Sequence, residues 1–97
     1  MSDSSRKATL FNITLTLADT EYSQLIPSGV KELRFRCRTL HDVRYGWESG
    51  VVATPTEPYC TLPSGHDYAS DKNDLTGKTL YIASSTAGVV VELEVWE

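Results

Sequence analysis

A period of two runs through this chain and limits what it can become. In the stretch from Leu33 to Arg38, Leu33, Phe35 and Cys37 share one side of an extended backbone, and Arg34, Arg36 and Arg38 share the other. Successive side chains of a strand point to opposite faces, so this alternation calls for a sheet with one buried and one wet face. The same alternation sets Phe11, Ile13, Leu15 and Leu17 against Asn12, Thr14 and Thr16, and it returns from Val89 to Trp96. No stretch of helical length shows a 3.6 period. The expectation is an all-β fold: an antiparallel two-sheet β-sandwich, jelly-roll-like or Ig-like, of about seven or eight short strands.

Turn residues divide the chain. Residues 1–8 are small, polar and charged, and are expected to form a flexible N-terminal arm, with residues 9–97 as a single sandwich domain. Strands are expected over residues 9–17, 22–26, 30–38, 59–62, 67–69, 79–84 and 89–96, with Val43, Tyr45 and Trp47 marking one face of a further strand. Pro27-Ser28-Gly29 and Pro63-Ser64-Gly65 read as turns in which Pro presets φ and Gly accepts a positive φ. Pro55 and Pro58 lack ladder donors, so residues 52–58 should be a loop or an edge. Tyr22 to Gly29 weakly echoes Tyr59 to Gly65, as two similar strand-plus-turn units would. Leu15, Leu33, Phe35, Val91, Leu93 and Val95 are expected in the core.

Size and charge narrow the function classes. A chain of 97 residues removes roughly 65 per cent of its unfolded surface from water, enough for a thin two-layer core but not for a deep pocket as well. The net charge of −4 argues against direct nucleic-acid binding, which normally requires a basic excess. No apolar run reaches membrane-spanning length, and the polar start of the chain does not read as a secretory signal, so the protein is expected to be made and kept in the cytoplasm, or to leave it by cell lysis.

Chemistry is sparse. His41-Asp42 and His66-Asp67 each sit at a turn, where Asp closes an Asx-turn and His is solvated. No third ligand or adjacent nucleophile accompanies either pair, so no catalytic, cofactor or metal site is expected. Cys37 has inward parity and Cys60 lies in an apolar run. Two buried thiols are the plain reading, and a Cys37–Cys60 bridge is the sharper alternative.

Two surface features remain. Arg34, Arg36 and Arg38 form a row of like charges that needs acidic residues opposite it. Glu92 and Glu94 on the last strand supply them if the rows pair internally; otherwise an acidic partner surface does, since arginine favours bidentate carboxylate contacts. Trp96 shares the outward parity of Glu92 and Glu94 and suits a subunit contact. Trp47, with nearby tyrosines, is either core or an exposed shelf for a sugar ring.

From Thr14 to Trp96 the chain resembles the small β-sandwich structural proteins of tailed-bacteriophage virions. The carrying residues are Thr14 to Tyr22, the Pro27-Ser-Gly29 turn, Arg34 to Arg38, Asp42 to Tyr45, Thr54 to Tyr59, Thr61 to Gly65, Leu75 to Ser84 and Val91 to Trp96. The resemblance implies a capsid decoration, or cement, protein that binds the capsid exterior and stabilises subunit contacts. It implies no enzyme activity and no cofactor. The major capsid protein or other virion proteins would be partners, and a homo-oligomer such as a trimer is expected. Arg6 and Lys7 of the arm, Arg34, Arg36, Arg38 and Trp96 are then the candidate interface, on a virion assembled in the host cytoplasm. A carbohydrate-binding or adsorption module of a tail or head fibre, or another minor head-tail component, is the alternative.

Overall fold

The computed structural model describes residues 8–70 and 77–97. Eight strands follow in chain order: β1 (Ala8–Leu15), β2 (Tyr22–Leu25), β3 (Glu32–Cys37), β4 (Val43–Gly46), β5 (Cys60–Leu62), β6 (Asp67–Ser70), β7 (Thr79–Ala83) and β8 (Val89–Trp96). They form two antiparallel sheets, ordered β1-β8-β3-β6 and β2-β7-β4-β5. The first strand thus pairs with the last, the second with the seventh, the third with the sixth and the fourth with the fifth. That is the pairing of a long antiparallel ribbon rolled upon itself, a jelly roll. The echo between Tyr22 to Gly29 and Tyr59 to Gly65 falls on the two edge strands of the second sheet, β2 and β5.

The core lies between the sheets. β3 and β8 alternate regularly, and Leu33, Phe35, Cys37, Val89, Val91, Leu93 and Val95 are buried between them and the opposing sheet's Val43, Leu80 and Ile82. All six expected core residues are buried. Phe35 sits at the centre of an aromatic trio: its ring meets Tyr45 edge-on at 5.2 Å and stacks on Tyr68 at 5.0 Å. Since Tyr45 belongs to the second sheet, Phe35 ties the two layers together.

A second, smaller core lies on the far side of the second sheet. There Val51, Val52 and Ala83 are buried, with Tyr59 and Tyr81 packed against them. The segment between β4 and β5 therefore folds flat over the sheet's outer face. The segment packs directly against Gly46, where a Cβ would lie 3.4 Å from a methyl group of Val51. Arg44 fastens the segment: its Nε donates to Val52 O at 2.7 Å and one Nη donates to Ala53 O at 3.3 Å and to Asp19 Oδ1 at 2.8 Å. Glu21 adds a second tie by accepting from the Gly50 N–H at 2.8 Å and the Ser49 hydroxyl at 3.1 Å.

Three expectations are corrected. Leu17 does not continue the inward row of β1 but is 61% exposed, because β1 ends at Leu15. The chain then turns, with the Leu17 N–H donating to the Tyr22 hydroxyl and Asp19 adopting a φ of 51°. Cys60 is exposed on edge strand β5 and is not a buried thiol. The Cys37–Cys60 bridge is not formed: both thiols are free, one on each sheet, and Cys37 Sγ instead contacts Thr39 Oγ1 and accepts from the His41 N–H. Gly29 and Gly65 do close their turns with positive φ, 82° and 80°. Arg6 and Lys7 of the expected arm lie outside the described residues, as does most of the polar stretch before β7.

Candidate docking surface

The two outer faces of the sandwich differ. The segment between β4 and β5 packs over the β4–β7 part of the second sheet's outer face, whereas among the described residues the outward side chains of the first sheet are exposed or half-buried. Across that face, β1 contributes Leu10, Asn12 and Thr14, β8 contributes Glu92, Glu94 and Trp96, and β3 contributes Glu32, Arg34 and Arg36, with Arg38 just beyond its end. Asp67 and Ala69 of β6 close it on the other side. Three shallow depressions of about 320–450 Å³ mark the surface; the one of ≈ 320 Å³ lies between Arg34, Arg36, Asp67, Glu92 and Glu94.

Register places the arginine and glutamate rows together. Arg36 faces Glu92 and Arg34 faces Glu94 across the β3–β8 ladder. Glu92 holds two guanidiniums at once, accepting from Arg36 Nε at 3.2 Å and Arg38 Nε at 2.9 Å. Hydrogen bonds from Arg38 and then Arg36 hold its carboxyl below the ordinary range. Arg38 also reaches Asn12 Oδ1 on β1 at 3.4 Å through one Nη. The internal pairing of the rows is therefore real, but it is asymmetric. Arg34 and Glu94, though opposed, form no ion pair among the described residues.

The geometry of the Glu92 clamp matters for binding. Arg36 uses only its Nε, and Arg38 its Nε with one long contact, so most of their terminal N–H donors make no hydrogen bond among the described residues. The two side chains are 62% and 49% exposed. A guanidinium has five donors in a rigid fork, and one held at Nε still offers its far edge to a carboxylate. Glu92 thus limits the motion of two arginines while leaving their recognition edges free.

Of the other candidates, Trp96 is half-buried at the end of β8, opposite Ala8 and Glu32. Trp47 and Tyr45 are half-buried too, and with Pro58, Tyr59, Cys60 and Glu48 they line a mostly apolar depression of ≈ 250 Å³ at the β4–β5 edge. Burial, with Cys60 and Tyr68 nearby, pushes the Tyr45 phenol up to about 12. Among the described residues no cluster of three or more His, Cys, Asp or Glu side chains is placed to hold a metal ion, and no helix is long and apolar enough to cross a membrane. Asn12 and the Nε-only grip of Glu92 were not legible as parts of the surface, because both depend on which strands become neighbours.

These observations define a class: a jelly-roll β-sandwich with one outer face partly covered by its own chain and the other, among the described residues, exposed, charged and rich in arginine donors. Compared with family models, with curated proteins and with solved structures, the chain has no match.

Proposed function

We propose that this domain is a structural, non-catalytic binding protein of a bacteriophage virion, a capsid decoration protein that docks through the open face of its first sheet onto an acidic surface of the shell. The observation that carries the docking surface is the Glu92 clamp. Arg36 and Arg38 are held by their Nε atoms while their side chains stay largely exposed, so less side-chain entropy is lost when carboxylates of a partner bind. The virion assignment rests on the resemblance of residues 14–96 to small sandwich proteins of tailed phages, and the jelly-roll topology is one that viral shell and lectin domains both use.

Replacing Arg34, Arg36 and Arg38 together by Gln tests the reading. Exposed cross-strand pairs contribute little each, so the fold should lose about 1–2 kcal/mol at most. Decoration of purified, undecorated capsids, followed by co-sedimentation, should be largely lost, and wild-type binding should weaken with added salt. Full decoration by the variant would overturn the assignment.

The depression beside Trp47 favours a second reading, a carbohydrate-binding module. Aromatic faces with a nearby acid, Glu48, suit a sugar ring. Glycan binding abolished by Trp47→Ala, with capsid binding absent, would establish that reading instead.

A further inference from the structure

The backbone of β1 carries an interaction surface of its own. The Arg38 N–H donates to Val90 O at 2.8 Å, in line with the register that sets Arg36 opposite Glu92. Within an antiparallel ladder each residue turns its N–H and C=O to one side, and its neighbours turn theirs to the other. Even-numbered residues of β8 therefore bond β3, and Val89, Val91, Leu93 and Val95 bond β1. Their partners are Leu15, Ile13, Phe11 and Thr9. Leu15 O, which accepts from the Gly88 N–H at 2.8 Å, points to that same side. Ala8, Leu10, Asn12 and Thr14 consequently aim their amides and carbonyls away from the sheet, and β1 is its edge.

Edge strands are ordinarily protected by a charge, a proline, a bulge or brevity. β1 has none of these. It runs eight residues as Ala-Thr-Leu-Phe-Asn-Ile-Thr-Leu, pairs with β8 without a break, and leaves Leu10 71% exposed. The other edges, β2, β5 and β6, run only four, three and four residues.

We propose that β1 pairs with β1 of a second copy of this chain, antiparallel about a two-fold axis, joining two first sheets into one of eight strands. A second copy is the occupant because its β1 is, among the described residues, the one edge that matches β1 in length. An uncharged strand also meets its own image without opposing like charges, whereas β6 would bring Asp67 near Asp67. Backbone parity limits the register. Only even residues face the seam, so the axis passes through Phe11 or Asn12 and never between them. With the axis at Asn12, Leu10 of one copy lies opposite Thr14 of the other, and the half-buried Phe11 lies opposite Ile13. Both arginine rows then face the same way, which leaves the docking surface open and doubles it. The pairing stands whether or not that surface binds a capsid.

Amide hydrogen exchange with sedimentation equilibrium tests the proposal. The wild type should sediment as a dimer and protect the amides of Leu10, Asn12 and Thr14 as well as those of Phe11, Ile13 and Leu15. Asn12→Pro removes one seam donor without touching a β1–β8 bond. It should sediment as a monomer with an unchanged circular dichroism spectrum, and Leu10 and Thr14 should then exchange freely. Leu10→Lys, which places a cation beside the seam, should shift the equilibrium the same way. A wild-type monomer with unprotected even amides, or a dimer that survives both substitutions, would overturn it. So would protection of those amides that arises only when capsids are added, which would assign the edge to a different protein.

Discussion

Phe35→Ala should be the most damaging single truncation in the first sheet. The side chain is fully buried and contributes to both layers through Tyr45 and Tyr68. Removing a buried phenyl ring costs about 3–5 kcal/mol, from lost transfer energy and the cavity left behind. Each ring pair adds about 0.5–1.5 kcal/mol beyond area alone, and two are lost here. Because Tyr45 and Tyr68 are themselves 5.2 Å apart, they can close part of the gap, which places the expectation near 4 kcal/mol. A domain of this kind has a total stability on the order of 5–15 kcal/mol, so the variant should be marginal. Its melting temperature should fall by about 16–32 °C, at 4–8 °C per kcal/mol for a small domain. Urea denaturation of wild type, Phe35→Leu and Phe35→Ala, fitted with a common m-value, measures the series. Phe35→Leu should cost about 1–2 kcal/mol, and a double-mutant cycle with Tyr68→Leu should return a coupling of about 0.5–1.5 kcal/mol. A loss below about 1 kcal/mol for Phe35→Ala would refute the role of this ring as the tie between sheets.

Three further outcomes follow from the geometry. Arg44→Ala should free the segment between β4 and β5, with faster limited proteolysis between residues 47 and 59 and a loss of about 2–3 kcal/mol from its charged hydrogen bonds; an unchanged cleavage rate would show that Val51 and Val52 hold the segment without it. Glu92 has a lowered folded-state pKa, so its contribution is present above the ordinary carboxylate range and lost as pH falls through the lowered value. The stability difference between wild type and Glu92→Gln should accordingly vanish in acid, as read by denaturant melts across pH. Tyr45, raised to about 12, stays neutral in the folded protein where the unfolded phenol ionises. Stability should therefore decline as pH rises from about 10, and a near-ultraviolet titration should lose its latest step in Tyr45→Phe.

Local alternation made much of this fold legible. Val89–Trp96 appears with the expected limits, and Leu33, Phe35 and Cys37 face inward while the arginines face out, because a strand's side-chain period is independent of its neighbours. Even the glutamates opposite the arginines could be anticipated from parity and charge. Strand order could not, since pairing β1 with β8 joins residues at opposite ends of the chain and leaves no local trace. Val51-Val52 next to Pro55 and Pro58 reads as a loop with little to bury; only the assembled second sheet provides the apolar surface it covers. For the same reason Arg44, one more cation in a basic stretch, could not be read as a clasp. Cys60 was misassigned because its run is too short for a period to be counted: β5 has three residues, and its first two are exposed.

The pairing of β1 with β8 also sets the order in which the protein can assemble. During synthesis β2 to β7 can approach one another as they emerge, yet β1 waits for the final strand before any ladder bond in its row forms. Long-range closure of this kind places all-β domains among the slower folders, on the order of milliseconds to seconds. Throughout that interval an uncharged strand with Leu10, Phe11, Ile13 and Leu15 lies uncovered, the state in which chains most readily associate wrongly. The last of these eight strands to be made is thus the one that protects the first.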